Sequence, residues 1–109
     1  MAPRLAHDDA GRGVPVVLLH AFPLDRGMWR PQVEALANEY RVIAPDLPGF
    51  GGTSAAAGGW TVDTAADAVA GFLSDVGVTE PVVLGGLSMG GYVALAFARR
   101  HPGRLRGLV

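Results

Sequence analysis

Three short apolar runs mark the chain. Val14 to Leu19 reads VPVVLL, Arg41 to Ala44 reads RVIA, and Pro81 to Leu84 reads PVVL. The runs are continuous rather than alternating, as expected of strands buried on both faces of a parallel sheet. Between them the period becomes helical. Trp29, Val33, Leu36 and Ala37 form one stripe over Met28 to Glu39, with Pro31 tolerable in the first turn. Val62, Ala65, Ala66, Val69, Phe72, Leu73 and Val76 line a second helix, which Thr61 opens and Gly77 ends. Ser88 to Arg100 is a third, closed by Pro102 and Gly103, and Leu105 to Val109 (LRGLV) begins a further strand. His20 to Gly27 and the Gly-, Pro- and Ser-rich Asp46 to Gly59 are loops. Strands alternating with helices predict an α/β fold: a mainly parallel sheet with helices on both faces. Ligands of such sheets sit beyond the carboxyl ends of the strands. The loops after Leu19, Ala44 and Leu84 are therefore the places to look for chemistry.

Composition narrows the classes. Of 109 residues, 50% are hydrophobic and 17% charged, enough apolar material for the core of one domain. The net charge of −1 gives no electrostatic reason to expect nucleic acid or an acidic membrane as partner. With no Cys, disulfides, thiolate metal sites and Cys nucleophiles are excluded. The opening MAPRLAHDDAG has no apolar core of a signal peptide, and no apolar run is long enough to span a bilayer. The expectation is a soluble, cytoplasmic protein.

The chemistry concentrates at Gly86-Leu87-Ser88-Met89-Gly90, a G-x-S-x-G sequence between a predicted strand and a predicted helix. A turn that tight forces Ser88 into a strained backbone conformation and lifts its hydroxyl clear of the sheet. Residues two positions to either side face each other closely. Gly86 and Gly90 fit that need, and Gly91 is expected to help the helix approach. Ser88 also stands at a helix amino terminus, where free N–H groups favour negative charge. Acyl transfer needs two N–H donors aimed at the developing oxyanion. Met89, next after the serine, offers one. The loop after the first buried strand, His20-Ala21-Phe22-Pro23, offers the other through the N–H of Phe22, since Pro23 has none.

LLHAFPLDRGMW, RVIAPDLPGFGGTS and GLSMGGYVALAFARRHPGRLRGLV resemble three successive signature segments of the α/β-hydrolase superfamily, over nearly all of Arg4 to Val109. The closest resemblance is to its small esterase, enol-lactonase and cofactor-free haloperoxidase branch, which shares a Ser nucleophile followed by Met-Gly-Gly. The resemblance implies hydrolysis of a small-molecule carboxylic ester or lactone through an acyl-enzyme on Ser88, with no metal or organic cofactor. Alternatives are a haloperoxidase or perhydrolase, a C–C bond hydrolase, or a non-catalytic fragment that only binds or assembles. Dehalogenases and epoxide hydrolases of the superfamily carry Asp at the nucleophile position, against which Ser88 argues. The resemblance gives His20 a bracing role in the oxyanion loop and Asp46 a structural one. Ala21 departs from the usual Gly, and its Cβ is expected to perturb that loop slightly. Met28, Trp29, Met89 and Tyr92 are candidates to line an acyl pocket, although plain core is the commoner role for such residues.

In this superfamily the acid and then the His follow the serine. Only 21 residues follow Ser88, none of them Asp or Glu. His101 lies ~20 Å away along the helix at ~1.5 Å per residue, so it is read as a helix-end residue favoured by the dipole. His7 has no evident partner. The triad acid and base are thus expected to be absent from these 109 residues, which read as the amino-terminal portion of one incomplete domain with little room for the family's usual first strand. An open sheet edge and uncovered apolar helix faces are expected to favour self-association.

Overall fold

The computed structural model describes residues 5–109. Residues 1–4, which include Arg4 and the start of the stretch read as lacking a leader, lie outside the described residues. The strands are β1 (His7–Ala10), β2 (Pro15–Leu19), β3 (Arg41–Pro45), β4 (Val82–Gly86) and β5 (Leu105–Leu108). The helices are α1 (Arg30–Leu36), α2 (Val62–Asp75) and α3 (Met89–Arg100), with 3-10 turns at Arg26–Trp29 and Pro102–Arg104. The strands form one sheet in the order β1-β3-β2-β4-β5; β1 runs antiparallel to β3 and all other neighbours are parallel.

The continuous apolar runs have the expected cause. Val17, Leu19 and Ile43 point to one face of the sheet and join Ala66, Val69, Phe72 and Leu73 of α2 and Val93, Ala94 and Phe97 of α3 in the larger core. Val16, Leu18, Val42 and Ala44 point to the other face and meet Trp29, Val33 and Leu36. Both faces are covered, so both sets of alternate residues must be apolar. No described helix is long and apolar enough to cross a membrane.

Helix ends follow local chemistry. The Thr61 hydroxyl accepts from the Thr64 N–H, and the Thr64 hydroxyl accepts from the Thr61 N–H, a capping box with Thr in place of the usual acid or amide. At the other end, Gly77 has φ +81°. The Val78 N–H donates to the Leu73 carbonyl at 2.8 Å and the Gly77 N–H to that of Ser74 at 3.1 Å. This is the Schellman closure, with Leu73 and Val78 both buried.

Three expectations need correction. The amino-terminal stretch does form a strand: β1 pairs with β3 from His7↔Pro45 to Ala10↔Val42. His7 does have partners, since its Nδ1 lies 2.9 Å from the Leu5 carbonyl and its ring meets Phe72 edge-on. The helix predicted over Met28 to Glu39 is shorter: the Asp25 carboxylate accepts from the Gly27 N–H at 2.8 Å and starts a 3-10 turn, and only Arg30–Leu36 is α-helical.

Candidate active site

Strand β4 runs two residues further than the apolar run indicates, into Gly85 and Gly86, and α3 begins at Met89. Only Leu87 and Ser88 bridge them. Ser88 caps α3 with φ 55° and ψ −116°, the one non-glycine residue at positive φ among the described residues. Such a conformation costs about 1–3 kcal/mol and persists where surrounding structure enforces it. The enforcement is visible. A Cβ on Gly86 would lie 2.2 Å from the Gly90 carbonyl oxygen. A Cβ on Gly90 would lie 2.1 Å from the Leu19 oxygen and 2.7 Å from that of His20. Gly91 is different: its Cβ would meet Gly86 at an ordinary 3.5 Å, so the close approach of α3 rests on the other two glycines.

The same contacts bring the loop after β2 beside Ser88, and the Leu87 N–H donates to the Leu19 carbonyl at 3.3 Å. His20 is wholly buried. Its Nε2 accepts from the Leu47 N–H at 3.0 Å and its Nδ1 lies 3.0 Å from the Ala21 carbonyl. An acceptor on one nitrogen requires the proton on the other, so Nδ1–H donates to Ala21. Both nitrogens are thereby engaged, which leaves none to serve as a base. The Ala21 carbonyl also accepts from the Leu24 N–H at 2.9 Å, and the Ala21 N–H donates to Met28 Sδ at 3.2 Å. Ala21 itself is buried.

Among the described residues, neither the Phe22 N–H nor the Met89 N–H donates a hydrogen bond, and Ser88 Oγ makes none. These groups can therefore accept or donate to a ligand without breaking anything. Beside Ser88 a groove of about 460 Å³ is lined by Ser88, Gly91, Tyr92, Ala94, Leu95, Leu108 at the end of β5, and Val109. Of the four candidate pocket residues only Tyr92 lines it. Trp29 and Met89 pack against the two cores, and Met28 holds the Ala21 amide.

The other histidine and carboxylate candidates are engaged elsewhere. His101 sits at the carboxyl end of α3, twelve helical residues from Ser88, with Nε2 2.8 Å from Asp67. Asp67 also takes Arg100 at 2.6 Å. The Arg100 hydrogen bond is the main reason its carboxyl is lowered to about 2, with His101 adding to it and burial opposing. Asp46 is a structural hub. Its carboxylate accepts from the Arg26 N–H (2.7 Å), Arg26 Nη1 (2.6 Å) and the Gly52 N–H (2.9 Å), while its carbonyl accepts from the Thr53 hydroxyl. Sequence reasoning missed Arg26, Thr53 and Phe50 as parts of this arrangement. No spacing links them to Asp46 or His20; only the folded loops do. Among the described residues no group of three or more His, Asp or Glu could hold a metal ion.

The family model for the alpha/beta hydrolase fold matches residues 14–109. Among solved structures, the chain is similar to a thermophilic esterase from Thermogutta terrifontis, at 55% identity and a TM-score of 0.92 over 95% of this chain and 38% of that one. It is 37% identical to the non-heme chloroperoxidase CPO-A1 of Kitasatospora aureofaciens, over 94% of this chain and 38% of that protein. It is 39% identical to a soluble epoxide hydrolase of Corynebacterium sp., over 87% of this chain and 33% of that protein. The chain thus spans 33–38% of the length of these relatives.

Proposed function

The chain belongs to the alpha/beta hydrolase fold family, and from that premise we propose that it carries the nucleophile and oxyanion donors of a serine hydrolase acting on small carboxylic esters or lactones. The observation that carries this reading is Ser88: exposed, held at positive φ on the amino terminus of α3, and followed directly by the unpaired N–H of Met89. Ser88 Oγ attacks the substrate carbonyl. The N–H groups of Met89 and Phe22 take the oxyanion, and water releases the acyl group from the enzyme. His20 braces the oxyanion loop, and Gly86 and Gly90 hold the turn.

The nucleophile also separates ester chemistry from that named for the epoxide-hydrolase relative. A serine opening an epoxide would form an ether, which water does not hydrolyse; a serine attacking an ester forms a new ester, which it does. The similarity to a chloroperoxidase supports a second reading, perhydrolysis by the same acyl-enzyme with peroxide in place of water.

The general base and its acid are assigned to no described residue. In this proposal they belong to the larger part of the fold that the relatives have and the match does not cover. The 109 residues alone then turn nothing over, and associate through the open edge of β5. The test uses p-nitrophenyl acetate and a fluorophosphonate probe, beside a Ser88→Ala control. A full-length protein should show labelling and turnover that vanish with Ser88→Ala, and the 109-residue chain should show neither. Activity surviving Ser88→Ala would end the assignment of the nucleophile, and saturable Ser88-dependent turnover by the short chain would end that of the distant base.

A further inference from the structure

We propose that Phe50 is a positioning residue that sets the Phe22 amide, which makes the loop between β3 and α2 part of the oxyanion machinery. The proposal rests on the reading of Phe22 as an oxyanion donor.

A peptide group is planar, so a carbonyl and the following N–H move as one rigid unit and point in opposite directions. The Phe22 N–H shares its plane with the Ala21 carbonyl. That carbonyl is held by His20 Nδ1–H at 3.0 Å and by the Leu24 N–H at 2.9 Å. Whatever orients the His20 ring therefore helps, with the Leu24 amide, to aim the Phe22 N–H. Two of the contacts on that buried ring come from the loop after β3. The Leu47 N–H donates to Nε2, and the Phe50 ring meets the imidazole edge-on with centroids 5.3 Å apart and planes at 68°.

Phe50 makes a second contact of the same kind. Its ring lies 5.8 Å from that of Phe22, at 87°. Phe22 is 66% exposed, and Phe50 is its one aromatic neighbour among the described residues. One half-buried ring thus touches both a group that helps to aim the peptide plane and the residue whose N–H is aimed. Phe50 is itself well fixed. Its N–H donates to the Leu47 carbonyl at 2.9 Å, its carbonyl accepts from Thr53 at 3.0 Å, and the loop is anchored at both ends of that turn by the Asp46 and Thr53 hydrogen bonds. An oxyanion donor acts only within about 2.7–3.1 Å of its target, so a small rotation of the plane is enough to weaken it.

The experiment compares Phe50→Leu, Phe50→Tyr and Phe22→Ala in the full-length protein, with p-nitrophenyl acetate kinetics and the 15N heteronuclear NOE of the Phe22 and Met89 amides. Phe50→Leu is expected to lower kcat about tenfold with KM within about twofold, to lower the NOE of Phe22 and to leave that of Met89 unchanged. Phe50→Tyr, which keeps the ring, should restore both readouts. Phe22→Ala, at an exposed position that cannot disturb the core, should lose a similar factor, and the double variant should be no worse than either single change. Wild-type kcat and an unaltered Phe22 amide in Phe50→Leu would overturn the proposal. So would an equal loss in Phe50→Tyr, or additive losses in the double variant. Should Ser88→Ala leave activity intact, the serine reading fails by itself, and the Phe22 amide still decides whether Phe50 positions it.

Discussion

A methyl group separates Gly90 from the residue that would break the turn, whereas the same methyl at Gly91 would meet only an ordinary van der Waals contact with Gly86, at 3.5 Å. Gly90→Ala must push the α3 terminus off the Leu19 and His20 carbonyls, and is expected to cost about 2–3 kcal/mol in urea denaturation. Gly91→Ala, in the first turn of α3 at ordinary helical φ, should be neutral or stabilise by up to ~1 kcal/mol. Equal losses at the two sites would contradict the asymmetry of the turn. Asp46 is the other critical residue. Asp46→Ala leaves the Gly52 and Arg26 amides without their acceptor and the Arg26 guanidinium with Asp8 as its remaining carboxylate. A loss of about 2–4 kcal/mol is expected, measured the same way. The glycine pair was legible in the sequence because its constraint is local: two positions either side of one residue. The role of Asp46 as a hub was not, because its donors come from 20 residues before it and six after.

Helices α2 and α3 are tied across their exposed faces by Asp63 and Asp67 with Arg99, Arg100 and His101. Asp67 is lowered from 3.8 to about 2. A carboxyl lowered by folding contributes stability that is present above its unfolded value and lost as the pH falls through the folded one. Wild type should therefore exceed Asp67→Asn in thermal midpoint near neutrality, by a small margin because the side chain is substantially exposed. The difference should shrink between pH 4 and 2, and a gap that persists undiminished below pH 2 would show that the carboxylate charge is not its source. At this scale the sequence displayed what burial imposes and hid what it does not. Strands β2, β3 and β4 are covered on both faces and so read as apolar runs. Strand β1 is an edge strand of four residues, HDDA, with Asp9 exposed. Its place is set by ladder hydrogen bonds to β3, which leave no mark in the side-chain pattern. The sequence predicts a longer α1 because the apolar stripe from Trp29 to Ala37 runs on through a 3-10 turn and a helix end alike.

Part of the molecule's exposed apolar surface gathers beside Ser88. Leu87, Tyr92, Leu95, Leu108 and Val109 are each at least 44% exposed, and four of them line the groove beside Ser88. The β5 edge adjoins them. Sedimentation velocity of the 109-residue chain should show concentration-dependent association, and Leu108→Lys, which places a charge on that edge, should shift it towards monomer. A single monomeric species at all concentrations would remove the expectation. The opposite margin of the sheet is unlike this one. There the carboxylates of β1 are engaged by Arg26 and Arg41, and a second chain arriving at that margin would have to strip water from both ion pairs. Were two of these 109-residue chains to pair through β5 about a two-fold axis, both outer margins would be the ion-paired β1, so sedimentation is expected to stop at a dimer rather than run on to larger species.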